Sequence, residues 1–77
     1  MNPLLSAHAS SRCAQMGVDP AEAIAALDDP ELRYPSPRKY GPGRSISVRG
    51  RLAVVHTTDG RLVITVLWHR LASRDAA

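Results

Sequence analysis

The stretch RLAVVHTTDGRLVITVLWHR, residues 51–70, decides the fold. Two runs rich in Val, Ile and Leu flank Asp59-Gly60, a dipeptide that favours a two-residue type I′ hairpin turn. The spacing predicts strands over 51–57 and 62–69. A third is expected over 44–49, where RSISVR sets Ile46 and Val48 on one face and Gly50 makes a tight break.

A two-residue turn pairs His56 with Val63 and Val54 with Thr65. One face then holds Ala53, Val55 and Thr57 against Val66, Ile64 and Leu62. It is the cleaner apolar surface, so it is expected under the rest of the protein. The other face holds Leu52, Val54, His56 and Thr58 against Leu67, Thr65, Val63 and Arg61, with His69 beyond. On this reading His56, Arg61 and Thr65 share a face, within the reach of diagonal neighbours. A one-residue slip would move the whole set to the other side.

Upstream the period changes to that of helices. Asn2-Pro3 offers an N-cap followed by proline at the first helical position. Leu5, Ala9, Cys13 and Met16 recur as one apolar stripe, and Gly17 is placed to end the helix. His8 and Arg12, four apart, flank that stripe. Asp19-Pro20-Ala21-Glu22 has the form of a second helix start, with Ala21, Ile24, Ala25 and Leu27, or Leu27 with Ile24 alone, toward the core and Asp28-Asp29-Pro30 as its stop. From Glu31 to Gly43 the chain reads as loop, with a short edge strand considered around Arg38–Tyr40.

The expected architecture is a single α+β domain over residues 1–77. A helical hairpin (3–28) and a loop (29–43) precede an antiparallel sheet (44–69), and a frayed tail (71–77) follows. The two N-terminal helices pack on one face of a meander of three or four strands.

The chain has 77 residues, 44% of them hydrophobic and 22% charged, which fits a globular domain and not wholesale disorder. So short a chain buries only about 60–65% of its unfolded surface, leaving a small core that a partner can extend. No apolar run reaches the roughly 18 residues of a membrane span, and MNPLLSAHASSR does not read as a signal peptide, so no membrane association is expected. Cys13 is the one cysteine, which fits a reducing cytoplasm and reads as a small buried hydrophobe.

Charge is unevenly spread. Residues 1–34 carry two arginines against five acids, net −3; residues 35–77 carry eight basic residues against two acids, net +6. Arg38, Lys39, Arg44, Arg49, Arg61 and Arg70 are the nucleic-acid-binding candidates, since the guanidinium fork matches phosphate. Arg-favouring codon usage explains the same composition without function.

Imidazoles, a hydroxyl and guanidiniums on one sheet face suit RNA cleavage without metal. One group takes the ribose 2′-OH proton, another protonates the leaving 5′ oxygen, and Arg stabilises charge on phosphorus. The bland readings stand beside this: a hydrogen-bonded strand histidine for His56, a structural one for His69, a strand-forming threonine for Thr65. With one Cys and three scattered His no zinc pattern appears, and Gly41-Pro42-Gly43 lacks the Lys and helix of a phosphate loop, so neither metal nor cofactor is expected.

His8-Ala9 followed by Arg12, then Met16-Gly17-Val18-Asp19-Pro20-Ala21-Glu22, then Ala25, Leu27 and Pro30, resembles the opening of a family of small uncharacterised bacterial and phage domains. Leu52-Ala53-Val54-Val55 and Leu62-Val63-Ile64-Thr65-Val66 are similar to its closing strands, which end in an Ile/Val-Thr-Val motif. The match spans roughly residues 7–67; Trp68-His69-Arg70 is no part of the pattern. That family in turn resembles the Barnase–EndoU–colicin–RelE superfamily of metal-independent ribonuclease toxins.

The resemblance implies that His8 and Arg12 form the polar pair of the first helix and Thr65 the polar residue of the last strand. A site using His8 and Thr65 requires the helix to wrap past the sheet edge. The leading expectation is a cytoplasmic, toxin-like RNA-binding protein that acts as a metal-independent endoribonuclease, free or on the ribosome. In it His8 or His56 serves as acid or base, Arg12, Arg44 and Arg61 hold phosphate, and Thr65 positions. The alternatives are a non-enzymatic module binding a host protein or cognate antitoxin, or nucleic-acid binding without chemistry. Leu52, Val54, Val63 and Leu67 would then be buried by the partner, and a homodimer is a further option.

Overall fold

The computed structural model describes residues 4–38 and 41–69. The elements are β1 (Leu4–Leu5), α1 (Ala7–Met16), α2 (Pro20–Asp28), β2 (Leu32–Pro35), β3 (Arg44–Arg49), β4 (Leu52–Thr57) and β5 (Leu62–Trp68). They form a five-stranded mixed sheet in the order β1-β5-β4-β3-β2, with the two helices on one face. The α+β class and the β3-β4-β5 meander agree with the sequence reading. The strand count and the purely antiparallel pairing do not: β1 lies parallel to β5, with Leu4 opposite Leu62 and Leu5 opposite Val63.

β1 occupies the place where the first helix is expected to begin. The Leu4 and Ser6 N–H groups donate to the Arg61 and Val63 carbonyls at 2.8 and 2.9 Å, so the outer edge of β5 claims this backbone. The helix starts one step later, capped by Ser6, whose Oγ accepts from the Ala9 N–H at 3.0 Å. Gly17 ends it at φ 69°, with its own N–H on the Ala14 carbonyl and the Val18 N–H on the Cys13 carbonyl. That is a Schellman motif, and its apolar pair, Cys13 and Val18, is buried.

α2 begins at Asp19 with Pro20 at its first position, and the Asp19 carboxylate accepts from the Ala21 N–H at 3.0 Å. It buries Ala23, Ala26 and Leu27, one position round from the expected stripe, while Ala21 is exposed. β2 falls inside the expected loop. With only Leu32 and Tyr34 apolar and Pro35 at its end, it has the composition of an edge strand, where a missing N–H is tolerated. Of the strand considered at Arg38–Tyr40, Arg38 lies outside any strand, and Lys39 and Tyr40 are outside the described residues.

The hairpin itself departs from the expected turn. The Gly60 N–H donates to the Thr57 carbonyl at 2.9 Å, which centres the turn on Thr58-Asp59 and leaves Gly60 after it at φ 74°. Asp59 fixes this form, its carboxylate accepting from the Thr57 hydroxyl at 2.6 Å and the Arg61 N–H at 3.0 Å.

Beyond the turn His56 faces Val63 as expected, but the next pair is Val55 with Thr65. Ile64 is the extra residue of a β-bulge. From there on Val54 faces Val66, Ala53 faces Leu67 and Leu52 faces Trp68. The bulge moves Thr65 to the Val55 face and Val66 to the Val54 face, which makes the Leu52–Val54–His56 side of β4 the more apolar one, and that side lies under the helices. Leu52, Val54, Val63 and Val66 join Ala9, Cys13, Val18, Ala23, Ala26 and Leu27 in the core beneath the helices. Ala53, Val55, Ile46 and Val48 form a second apolar cluster on the far face, with Tyr34, Ile64 and Leu67 against it. Of the apolar residues assigned to a partner surface, Leu52, Val54 and Val63 lie in the main core.

Among the described residues no helix is long and apolar enough to cross a membrane.

Candidate functional site

The bulge separates the residues that the simple register brought together. His56 follows Leu52 and Val54 onto the helix side and is 1% exposed, whereas Thr65 pairs with Val55 on the far side. A shared His56–Thr65 face does not exist.

His56 belongs instead to a buried polar chain. Its Nδ1 lies 2.7 Å from the Thr57 carbonyl oxygen and its Nε2 lies 2.7 Å from Ser47 Oγ. A carbonyl can only accept, so Nδ1 carries the proton and Nε2 accepts from the Ser47 hydroxyl. The Ser47 oxygen accepts in turn from Arg33 Nε at 2.8 Å, and Arg33 Nη2 donates to the Leu27 carbonyl at the end of α2. Burial holds the His56 pKa below its ordinary value; the Thr57 carbonyl opposes this, the Arg33 charge adds to it, and Asp59 opposes it more weakly. A serine hydroxyl on a histidine nitrogen resembles a nucleophile pair, but Ser47 is itself 0% exposed and no substrate reaches it.

The first-helix pair is differently placed. His8 is exposed on α1, and Arg12 is half-buried, its Nε donating to the Val66 carbonyl at 3.3 Å and its Nη1 to Gln15 Oε1 at 3.2 Å. Arg12 therefore reaches the β5 backbone one residue from Thr65. The Thr65 side chain lies on the opposite side of the sheet, so α1 does not bring His8 round to it.

Among the described arginines, Arg49 alone forms a salt bridge, 2.7 Å from Asp29. Arg38 and Arg61 are exposed, and half-buried Arg44 packs along Gly41, where a Cβ would come within 3.3 Å of its Nε. Lys39 and Arg70 lie outside the described residues. Neither ring nitrogen of half-buried His69 has a hydrogen-bond partner among the described residues. Among the described residues no three His, Cys, Asp or Glu side chains group as a metal set.

Sequence reasoning missed a cleft of about 670 Å³ between α2 and the turn joining β3 to β4. Its walls include Glu22, Glu31, Arg49, Arg51, Leu52 and Trp68. Exposed Trp68 was the available signal, since a tryptophan at a strand end has little reason to stay in solvent. Comparison with protein-family models, curated proteins and solved structures found no match to this chain.

Proposed function

We propose that this chain is a toxin-like RNA-binding protein acting in the cytoplasm. The observation that carries the reading is the charge of Arg38, Arg44 and Arg51, which meet no acid in a salt bridge among the described residues, while the acids of residues 19–31 cluster on and around α2. Guanidiniums left without carboxylates are available to phosphates. The resemblance to ribonuclease toxins supports the same substrate class. Endonucleolytic cleavage enters the proposal in a narrower form, with exposed His8 as the proton-transfer group, Arg12 and Arg61 near phosphate, and no chemical role for His56.

The test is incubation of purified protein with total RNA in EDTA. Binding predicts a mobility shift that weakens with salt, by about 0.7 in log–log slope for each phosphate contacted on a single strand. Cleavage predicts 2′,3′-cyclic phosphate ends that His8→Ala abolishes and His56→Gln, if folded, retains. Intact RNA with a shift removes the enzyme and leaves the binder. No shift at low salt rejects both.

One observation favours a second reading, a module that binds a cognate antitoxin, a host protein or a second copy. β1 covers only Leu62 and Val63 of the seven-residue β5, so the edge from Thr65 onward has no partner strand among the described residues, and an added strand would replace the Arg12 side chain on the Val66 carbonyl. Such an edge accepts an added strand. Co-purification of one protein with no effect on RNA would favour it.

A further inference from the structure

The cleft beside Trp68 has a division of labour among its side chains. Arg49 is engaged by Asp29, and the Glu31 carboxylate accepts from the Gly50 N–H. Three groups remain uncommitted: the Trp68 indole, 52% exposed; the Arg51 guanidinium; and the Glu22 carboxylate, both exposed and outside any salt bridge among the described residues. Trp68 and Arg51 both line the cleft, the first from the end of β5 opposite Leu52 and the second from the turn that leads into β4. Glu22 stands on the α2 wall, and buried Leu52 contributes apolar lining.

An indole presents a flat apolar face, which a nucleobase matches by stacking regardless of its identity. A guanidinium beside it takes an anionic oxygen pair. A carboxylate across the cleft only accepts, so it selects a ligand whose far edge donates, such as a base with an exocyclic amine. An acidic peptide would meet Glu22 and Glu31, and a basic one would meet Arg51. A ligand that separates one anion from a neutral, planar, donor-bearing ring satisfies all three groups. The volume of about 670 Å³ is within the range of small-molecule sites.

From this arrangement we propose that the cleft is a single-nucleotide subsite for single-stranded RNA. The base stacks on Trp68, its amino group donates to Glu22, and its phosphate sits on Arg51. The proposal rests on the RNA-binding reading and locates one contact within it.

Trp68 is the only tryptophan, so its emission reports on the subsite directly. Titration with oligo(A) should quench it and oligo(U) should do so more weakly, with anisotropy of end-labelled RNA read in parallel. Trp68→Ala should lower affinity about 5- to 100-fold. Arg51→Ala should weaken binding and reduce the salt slope by about 0.7, and Glu22→Gln should narrow the preference for oligo(A). Both Arg51 and Glu22 are exposed, so their variants carry the test if Trp68→Ala misfolds by circular dichroism.

RNA binding with unchanged emission and unaffected Trp68→Ala and Arg51→Ala variants overturns the subsite and leaves RNA binding standing. Absence of RNA binding overturns both. Quenching by an acidic or basic peptide and not by RNA makes the cleft a peptide site and overturns the nucleotide assignment.

Discussion

The imidazole of His56 and the guanidinium of Arg33 share one hydroxyl oxygen, that of Ser47, at 2.7 and 2.8 Å. Neutral His56 fits this arrangement without conflict: Ser47 donates to the imidazole and accepts from Arg33. A protonated imidazole reverses its bond, sets two cations on one oxygen, and strands the Ser47 proton. The chain also runs from α2 through β2 and β3 to β4, so the protonation state of one residue bears on how the sheet's helix face is held.

Stability should therefore fall in mild acid. The folded-state pKa of His56 lies below its unfolded value of about 6.5. Between the two the unfolded chain binds a proton that the folded chain refuses, so stability rises with pH in that window. It is complete above about pH 7 and is lost as pH drops through about 6.5 toward the folded pKa. Urea midpoints measured from pH 8 to 5 should decline in wild type and decline less in a folded His56→Gln variant. Equal slopes in the two would remove His56 as the cause.

Ser47→Ala should cost about 1–3 kcal/mol, because it leaves His56 Nε2 without a donor and Arg33 Nε without its acceptor in a buried place. His56→Ala should cost roughly 2–4 kcal/mol, adding a cavity to the lost bonds. The two should not add: the double variant should be less destabilised than the sum, by about 0.5 kcal/mol or more. Strict additivity in a denaturation cycle would mean the two side chains act separately.

Much of this fold was readable from residue type. Gly17, the Asp19-Pro20 start and the alternation of 44–49 report local backbone preferences, which survive any tertiary context. The layer assignment failed because a bulge carries no comparable residue signal: Ile64 looks like any strand residue, yet its insertion turns Thr65 and Val66 about. β1 and β2 were missed for a related reason, since edge strands of two and four residues are defined by the neighbour they join. At the candidate site, Arg12 and His8 were visible as residue types, but their separation from Thr65 depends on that register. The Trp68 cleft depends on where α2 crosses the sheet, which its alanine-rich stripe leaves ambiguous by a position.

Gly60→Ala isolates the backbone term of the turn. Gly60 adopts φ 74° and a Cβ there would meet nothing within 4 Å, so the cost is conformational only, about 1–2 kcal/mol. Gly60→Asn should cost less, because asparagine tolerates the left-handed region. Chemical denaturation of the three proteins gives the ranking Gly, Asn, Ala. Indistinguishable Asn and Ala variants would argue against a left-handed residue at this position.

Ser6 offers the sharpest test of how β1 is tied to its neighbours. Its hydroxyl does two things at once, accepting from the Ala9 N–H at 3.0 Å and donating to the Ile64 carbonyl at 2.9 Å. The first is ordinary helix capping, for which aspartate serves as well as serine. The second needs a proton that a carboxylate lacks, and aspartate would also set a negative oxygen against the bulge carbonyl. Ser6→Thr should therefore be near neutral and Ser6→Ala should cost about 1–2 kcal/mol. Ser6→Asp should be no better than Ser6→Ala, against its usual rank as a cap. Thermal melts at pH 8 decide the order, and a Ser6→Asp protein as stable as wild type would show that capping alone matters and that the Ile64 bond contributes nothing.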